Sequence, residues 1–157
     1  MIDIQFTIPL PPVSKKNSQQ ILMNRANNRP FIMPSDKYRK YEKAASHYVP
    51  KHDMICEPVN VECIFYMQTR RAVDKSNLEE AIHDILVRAG LLADDNRDIV
   101  AAGDGTRVFY DKENPRTEVH ITSIGEEYTQ WSDKYGLSDT KSLPRLSKKN
   151  SGVPRIV

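Results

Sequence analysis

The chain has 157 residues, 39% hydrophobic and 28% charged. That is the size and balance of one globular domain with its own core, needing no metal or disulfide staple. No apolar run approaches the roughly 18 residues of a membrane helix, and the four histidines are too scattered to form a zinc site. Two cysteines, Cys56 and Cys63, lie in or near one predicted strand and are expected to pack rather than pair. The opening MIDIQFTIPLPP carries an early aspartate and breaks on prolines, unlike a secretory signal, which predicts a cytoplasmic location.

The net charge of +2 conceals an asymmetry. Residues 1–52 hold 9 Lys+Arg against 3 Asp+Glu, residues 53–131 hold 8 against 16, and residues 132–157 hold 6 against 2. A basic front and tail around an acidic middle suit a protein that grips a polyanion and concentrates a cation at its centre.

In chain order, Ile2, Ile4, Phe6 and Ile8 alternate with polar residues as in a half-buried strand, ended by Pro9, Pro11 and Pro12. Residues 14–34 read as a polar loop, either a surface flap or a short hairpin. Its Lys15, Lys16, Arg25 and Arg29 are candidate phosphate contacts. Ser35 caps a predicted helix running to Val49, with Tyr38, Tyr41, Ala44, Ala45 and Tyr48 along one face. A second strand over 59–67 alternates Val61, Cys63, Phe65 and Met67 with Glu62, Ile64 and Tyr66. Short strands are expected at 99–101 and 106–110, then a hairpin turn at Asn114-Pro115 and a last strand over 117–124. Residues 1–131 are read as one domain. Residues 132–157, with few apolar side chains and no period, are read as a flexible basic tail, or else as a segment docking through Leu137, Leu143 and Ile156.

Residues 70–99, RRAVDKSNLEEAIHDILVRAGLLADDNRDI, carry the chemistry. Ser76 and Glu79 have capping-box spacing, placing a helix start near Asn77. Leu78, Ala81, Ile82, Ile85, Leu86 and Ala89 form a continuous apolar stripe, and Gly90 is the left-handed stop. Asp74 precedes this helix and Asp94-Asp95 follow it. If the fold brings them together, they make an acidic pocket facing Arg70 and Arg71, as a magnesium enzyme acting on phosphodiesters requires.

Pro11-Pro12 with Ser14 and Asn17, Arg70 and Arg71 leading to residues 74–77, and Ala89-Gly90 followed by Asp94-Asp95 stand in the order and spacing of a known family. On these motifs the chain resembles the RusA family of Holliday-junction resolvases, usually encoded by phages and prophages, over residues 4–124. The resemblance implies an α+β fold, a small mixed β-sheet packed against two main helices, acting as a two-fold homodimer. It implies Mg²⁺-dependent cleavage of four-way DNA, with Mn²⁺ substituting, leaving 5′-phosphate and 3′-hydroxyl ends. Asp74 and Asp95 take the places of catalytic aspartates, with Asp94 helping to hold the metal. Ser76 stands where the family has a second aspartate, and Glu80 where the best-known members have a lysine. Two readings follow for Glu80: it returns the missing carboxylate to the metal, or the enzyme is weakened. Lys15, Lys16, Arg70, Arg71 and Lys75 are the expected DNA contacts. The alternatives are a junction-binding protein of the same fold with a weakened site, and a phosphohydrolase acting on nucleotides. The basic ends argue against the latter, since a small substrate needs no extended grip.

Overall fold

Strict alternation in residues 59–67 makes a strand that is buried on one face and half-open on the other, and the domain is laid against that strand. The computed structural model describes residues 1–16, 19–125, 130 and 134. The chain divides into Met1–Gly125 and Glu126–Val157. The expected tail over 132–157, apart from Lys134, and Asn17 of the opening motif lie outside the described residues.

The elements run β1 (Asp3–Ile8), β2 (Gln19–Asn24), β3 (Arg29–Pro34), α1 (Asp36–Ser46), β4 (Val59–Met67), α2 (Lys75–Arg88), β5 (Val100–Ala102), β6 (Arg107–Tyr110) and β7 (Arg116–Ser123). In the main sheet β1 pairs antiparallel with β7 and β7 antiparallel with β4. The other edge of β4 is shared by β5 and β6, both parallel to it. This is a mixed sheet with two helices, an α+β fold, as expected. The turn at Asn114-Pro115 is corrected by the pairing. It joins β6 to β7, but β4 lies between them, so residues 111–115 cross the end of β4 instead of closing a hairpin.

On β4, Val59, Val61, Cys63 and Phe65 are buried, and on β7 Thr117, Val119 and Ile121. Both helices lie on this face: Cys63 feels the charges of Glu79 and Lys75 on α2, and Tyr41 on α1 feels Cys63. Burial pushes the Cys63 thiol up, so it packs as a neutral group, and both cysteines are free. On α1, Ser35 Oγ accepts from the Tyr38 amide at 3.2 Å. The helix stops at Ser46, short of Val49, and leaves Tyr48 exposed. Its buried Glu42 pairs with Arg88 of α2.

α2 buries Leu78, Ala81, Ile82, Ile85 and Leu86 of the expected stripe, while Ala89 is the exposed C-cap. It ends through Gly90, whose φ of 79° is left-handed. A Cβ there would meet nothing within 4 Å, so the backbone conformation alone sets the cost of a side chain. Gly90→Ala is expected to destabilise the fold by about 1 kcal/mol, the left-handed penalty, read from the midpoint of urea unfolding. β2 and β3 form a separate antiparallel ribbon, resolving the flap-or-hairpin alternative in favour of the hairpin. Its turn is made by asparagines: Asn28 takes φ 53°, Asn24 Oδ1 accepts from the Ala26 amide, and Asn27 Oδ1 from the Arg29 amide.

Candidate active site along helix α2

The α2 helix is the crossover between parallel strands β4 and β5, so the residues at its start and just past its end belong to one βαβ unit. Asp74, not Ser76, is its N-cap. The Asp74 carboxylate accepts from the Ser76 hydroxyl at 2.7 Å and the Ser76 amide at 3.0 Å. The helix thus begins at Lys75, two residues before the expected start. The expected capping box is absent, because a carboxylate already satisfies the first free amides. The bonds from the Ser76 hydroxyl and amide hold the Asp74 carboxyl below the usual range, and the Lys16 charge adds to this. Asp74 is therefore ionised at neutral pH.

Freed from the capping role, Glu79 pairs with Lys75 at 3.2 Å and lies beside Gly103, where a Cβ would come within 3.1 Å of its Oε1. The open face of α2 carries Glu80 and, one turn on, Asp84. Lys16 Nζ donates to Glu80 at 2.8 Å and Lys15 Nζ to Asp84 at 3.0 Å, drawing the loop after β1 across the helix. These are half-exposed pairs, worth no more than about 1 kcal/mol each. Their weight here is positional.

The loop after Gly90 is held by its own side chains. Asp94 accepts from the Asp95 amide and from Asn96 Nδ2, both at 2.8 Å, and Asn96 Oδ1 accepts from the Asp98 amide at 2.9 Å. Partial burial raises the Asp95 carboxyl above its ordinary value, and its Asp94 and Asp84 neighbours raise it further. His83 adjoins them. Burial keeps its imidazole neutral against the pull of Glu79, Asp95, Asp84 and Glu80, and among the described residues its buried Nε2 has no hydrogen-bond partner.

Asp95 thus feels the charges of Asp94 and Asp84, while Asp74 is bonded to Ser76 and feels the charge of Lys16. At 1.5 Å per helical residue, Asp74 and Asp84 stand about 15 Å apart along α2. Among the described residues no group of three or more His, Cys, Asp or Glu is already gathered for one metal ion. The donor chemistry nevertheless fits a hard divalent cation. All the groups are carboxylate oxygens, and the Asp94 and Asp84 charges that add to the burial effect at Asp95 are a repulsion that a bound cation removes.

Of the expected DNA contacts, Lys15, Lys16 and Lys75 are the three lysines already paired with α2 carboxylates. The Arg70 guanidinium lies 4.3 Å from the centre of the Tyr110 ring. Arg71 joins Lys37, Val13, Ser14, Val73 and Leu78 around an open cleft of about 450 Å³ beside the start of α2. Asp84 is the residue the sequence reading passed over. Its one signal was the four-residue step from Glu80, which puts two acids on the face opposite the apolar stripe.

A crossover helix lined with carboxylates, flanked by lysines from one loop and arginines from another, carries the residue types used to act on phosphodiesters. The family model described as Endodeoxyribonuclease RusA matches residues 9–122, a span that includes Pro11-Pro12, Arg70, Arg71, Asp74, Asp94 and Asp95. The chain belongs to the RusA family of endodeoxyribonucleases, the Holliday-junction resolvases. No curated protein matches the chain. No helix of the described residues is long and apolar enough to cross a membrane.

Proposed function

We propose that this protein is a Mg²⁺-dependent, structure-selective endonuclease that resolves four-way DNA as a homodimer, cutting two strands symmetrically and leaving 5′-phosphate ends. The observation that carries this reading is the match to the RusA family over residues 9–122, which spans Asp74, Asp94 and Asp95; the Asp94 and Asp84 charges felt at Asp95 support it. Asp94 and Asp95, with Asp84, are the residues to hold the cation, and Asp74 acts from the start of the helix. A bound Mg²⁺ supplies charge neutralisation at the attacked phosphate and a more acidic water. Glu80 reaches the cation only by giving up Lys16, so Glu80→Gln should slow cleavage far less than loss of Asp95 does.

The residues around this face position the strand. Arg71 and Lys37 offer donors to phosphate oxygens at the cleft, and Arg70 offers the edge of a guanidinium already ordered on Tyr110. Lys15 and Lys16 balance the acids and stay open enough to meet phosphates as well. Replacing both by alanine should weaken junction binding and lower its salt slope by about 0.9 for each phosphate that is no longer neutralised. Salt titration of the dissociation constant measures it. Two equivalent cuts need two sites related by a two-fold axis, which a symmetric dimer provides.

A second reading, a junction-binding protein with a weakened site, draws on the Ser76 hydroxyl bound to Asp74 and on the absence of a preassembled metal cluster among the described residues. Incubating labelled junction and linear duplex of the same sequence with Mg²⁺ separates the two. The enzyme reading expects the junction alone to be cut, and binding without any cutting would establish the second.

A further inference from the structure

The β2–β3 ribbon stands outside the main sheet, and its composition is unusual. In an antiparallel ribbon, residues directly opposite one another share a face. The register pairs Ile21 with Ile32 and Met23 with Pro30, so one face is an apolar stripe. That stripe is bare: Ile21 is 75% exposed, Ile32 64% and Met23 54%. A two-stranded ribbon alone is at best marginally stable in water, and one showing its apolar face to solvent implies an occupant.

Charge identifies the occupant. From Ile4 to Ser35 the chain holds no Asp or Glu, while Lys15, Lys16, Arg25 and Arg29 lie within it. Arg25 is in the ribbon's turn and Arg29 opens β3, so the tip is cationic. A surface without carboxylates, tipped with arginine and faced with isoleucine and methionine, is complementary to a polyanion that also offers flat apolar surfaces. DNA bases offer these only where they are unstacked, and proteins that kink DNA insert such side chains between base steps. Lys15 and Lys16, in the same stretch without carboxylates, pair with Asp84 and Glu80 of the candidate active site.

We propose that the β2–β3 ribbon is a wedge for the branch point. Its Ile21–Ile32 face packs against bases unstacked at the crossover, and Arg25 and Arg29 hold the flanking phosphates. This rests on the junction-nuclease reading and adds to it the element that selects branched over continuous DNA. Six-residue strands reach about 20 Å, the length over which the wedge acts.

The test uses the full chain and a synthetic four-way junction with 2-aminopurine at the crossover nucleotides, bound without divalent cation. Binding of the wild type should raise the 2-aminopurine fluorescence as the bases unstack. Ile21→Ser with Ile32→Ser should lose more than half of that rise, while Ile21→Val with Ile32→Val keeps it. The serine variant should retain the wild-type melting temperature and native mass. An undiminished rise in the serine variant overturns the wedge while leaving the nuclease reading intact. A fall in its native mass also overturns it, since the occupant would then be a second copy of the chain. A wild type that fails to prefer the junction over linear duplex removes both the reading and the wedge.

Discussion

Asp95→Asn is expected to slow junction cleavage by about a thousandfold while leaving junction binding intact. A charged ligand at the reacting phosphate is worth several kcal/mol of transition-state stabilisation, and about 4 kcal/mol corresponds to three decades of rate. Asparagine keeps the shape and removes the charge that, on the proposed reading, a cation meets beside Asp94 and Asp84. Asp84→Asn should produce a loss of the same kind, because Asp84 meets the same group from the helix. Single-turnover cleavage under saturating enzyme measures the step without the binding term. Wild-type cutting by a folded Asp95→Asn protein would place the chemistry elsewhere. Tighter binding by either variant would fit, since each removes a negative charge from the neighbourhood of the DNA backbone.

Phe65→Ala is expected to cost about 3–5 kcal/mol of stability. Phe65 is 1% exposed on β4, the strand that pairs with β7 on one side and with β5 and β6 on the other. Its ring fills the layer between the sheet and the helices, and no neighbouring strand can move in without breaking register. Domains of this size have about 5–15 kcal/mol in all, so the variant should unfold at much lower urea. Phe109→Ala, at a position 51% exposed on β6, should change stability by no more than about 0.5 kcal/mol. Parallel urea titrations of the two variants read the difference directly.

What the sequence conveyed and what it hid follow one division. Periodicity reports which side of an element is buried, and there it was legible: β1, β4 and the α2 stripe emerged with their buried faces as expected, and Gly90 took its left-handed stop. Competition between neighbours was not legible. Asp74 and Ser76 are both good caps, and only the folded backbone shows the carboxylate taking the role and the serine donating to it. Pairing across the sheet was hidden for a similar reason. Asn114-Pro115 announces a turn, but no local signal says that β4 will lie between the strands it joins. Asp84 reads as any acid on a solvated helix face, and only the fold pairs it with Lys15 and makes its charge felt at Asp95. The acids at the two ends of α2 were expected to meet. Instead Asp95 feels Asp94 and, from the helix, Asp84, while Asp74 is bonded to Ser76 at the helix start.

The central claim is that these carboxylates make the chain a metal-dependent junction nuclease. Mapping all four strands of a junction, each labelled in turn, tests it most directly, with Mg²⁺ and with excess EDTA. Paired cuts in two opposing strands at symmetric positions are predicted in Mg²⁺, with nicks that DNA ligase reseals, and no cuts in EDTA. Cutting that persists in EDTA, or that falls on linear duplex as readily as on the junction, would contradict it.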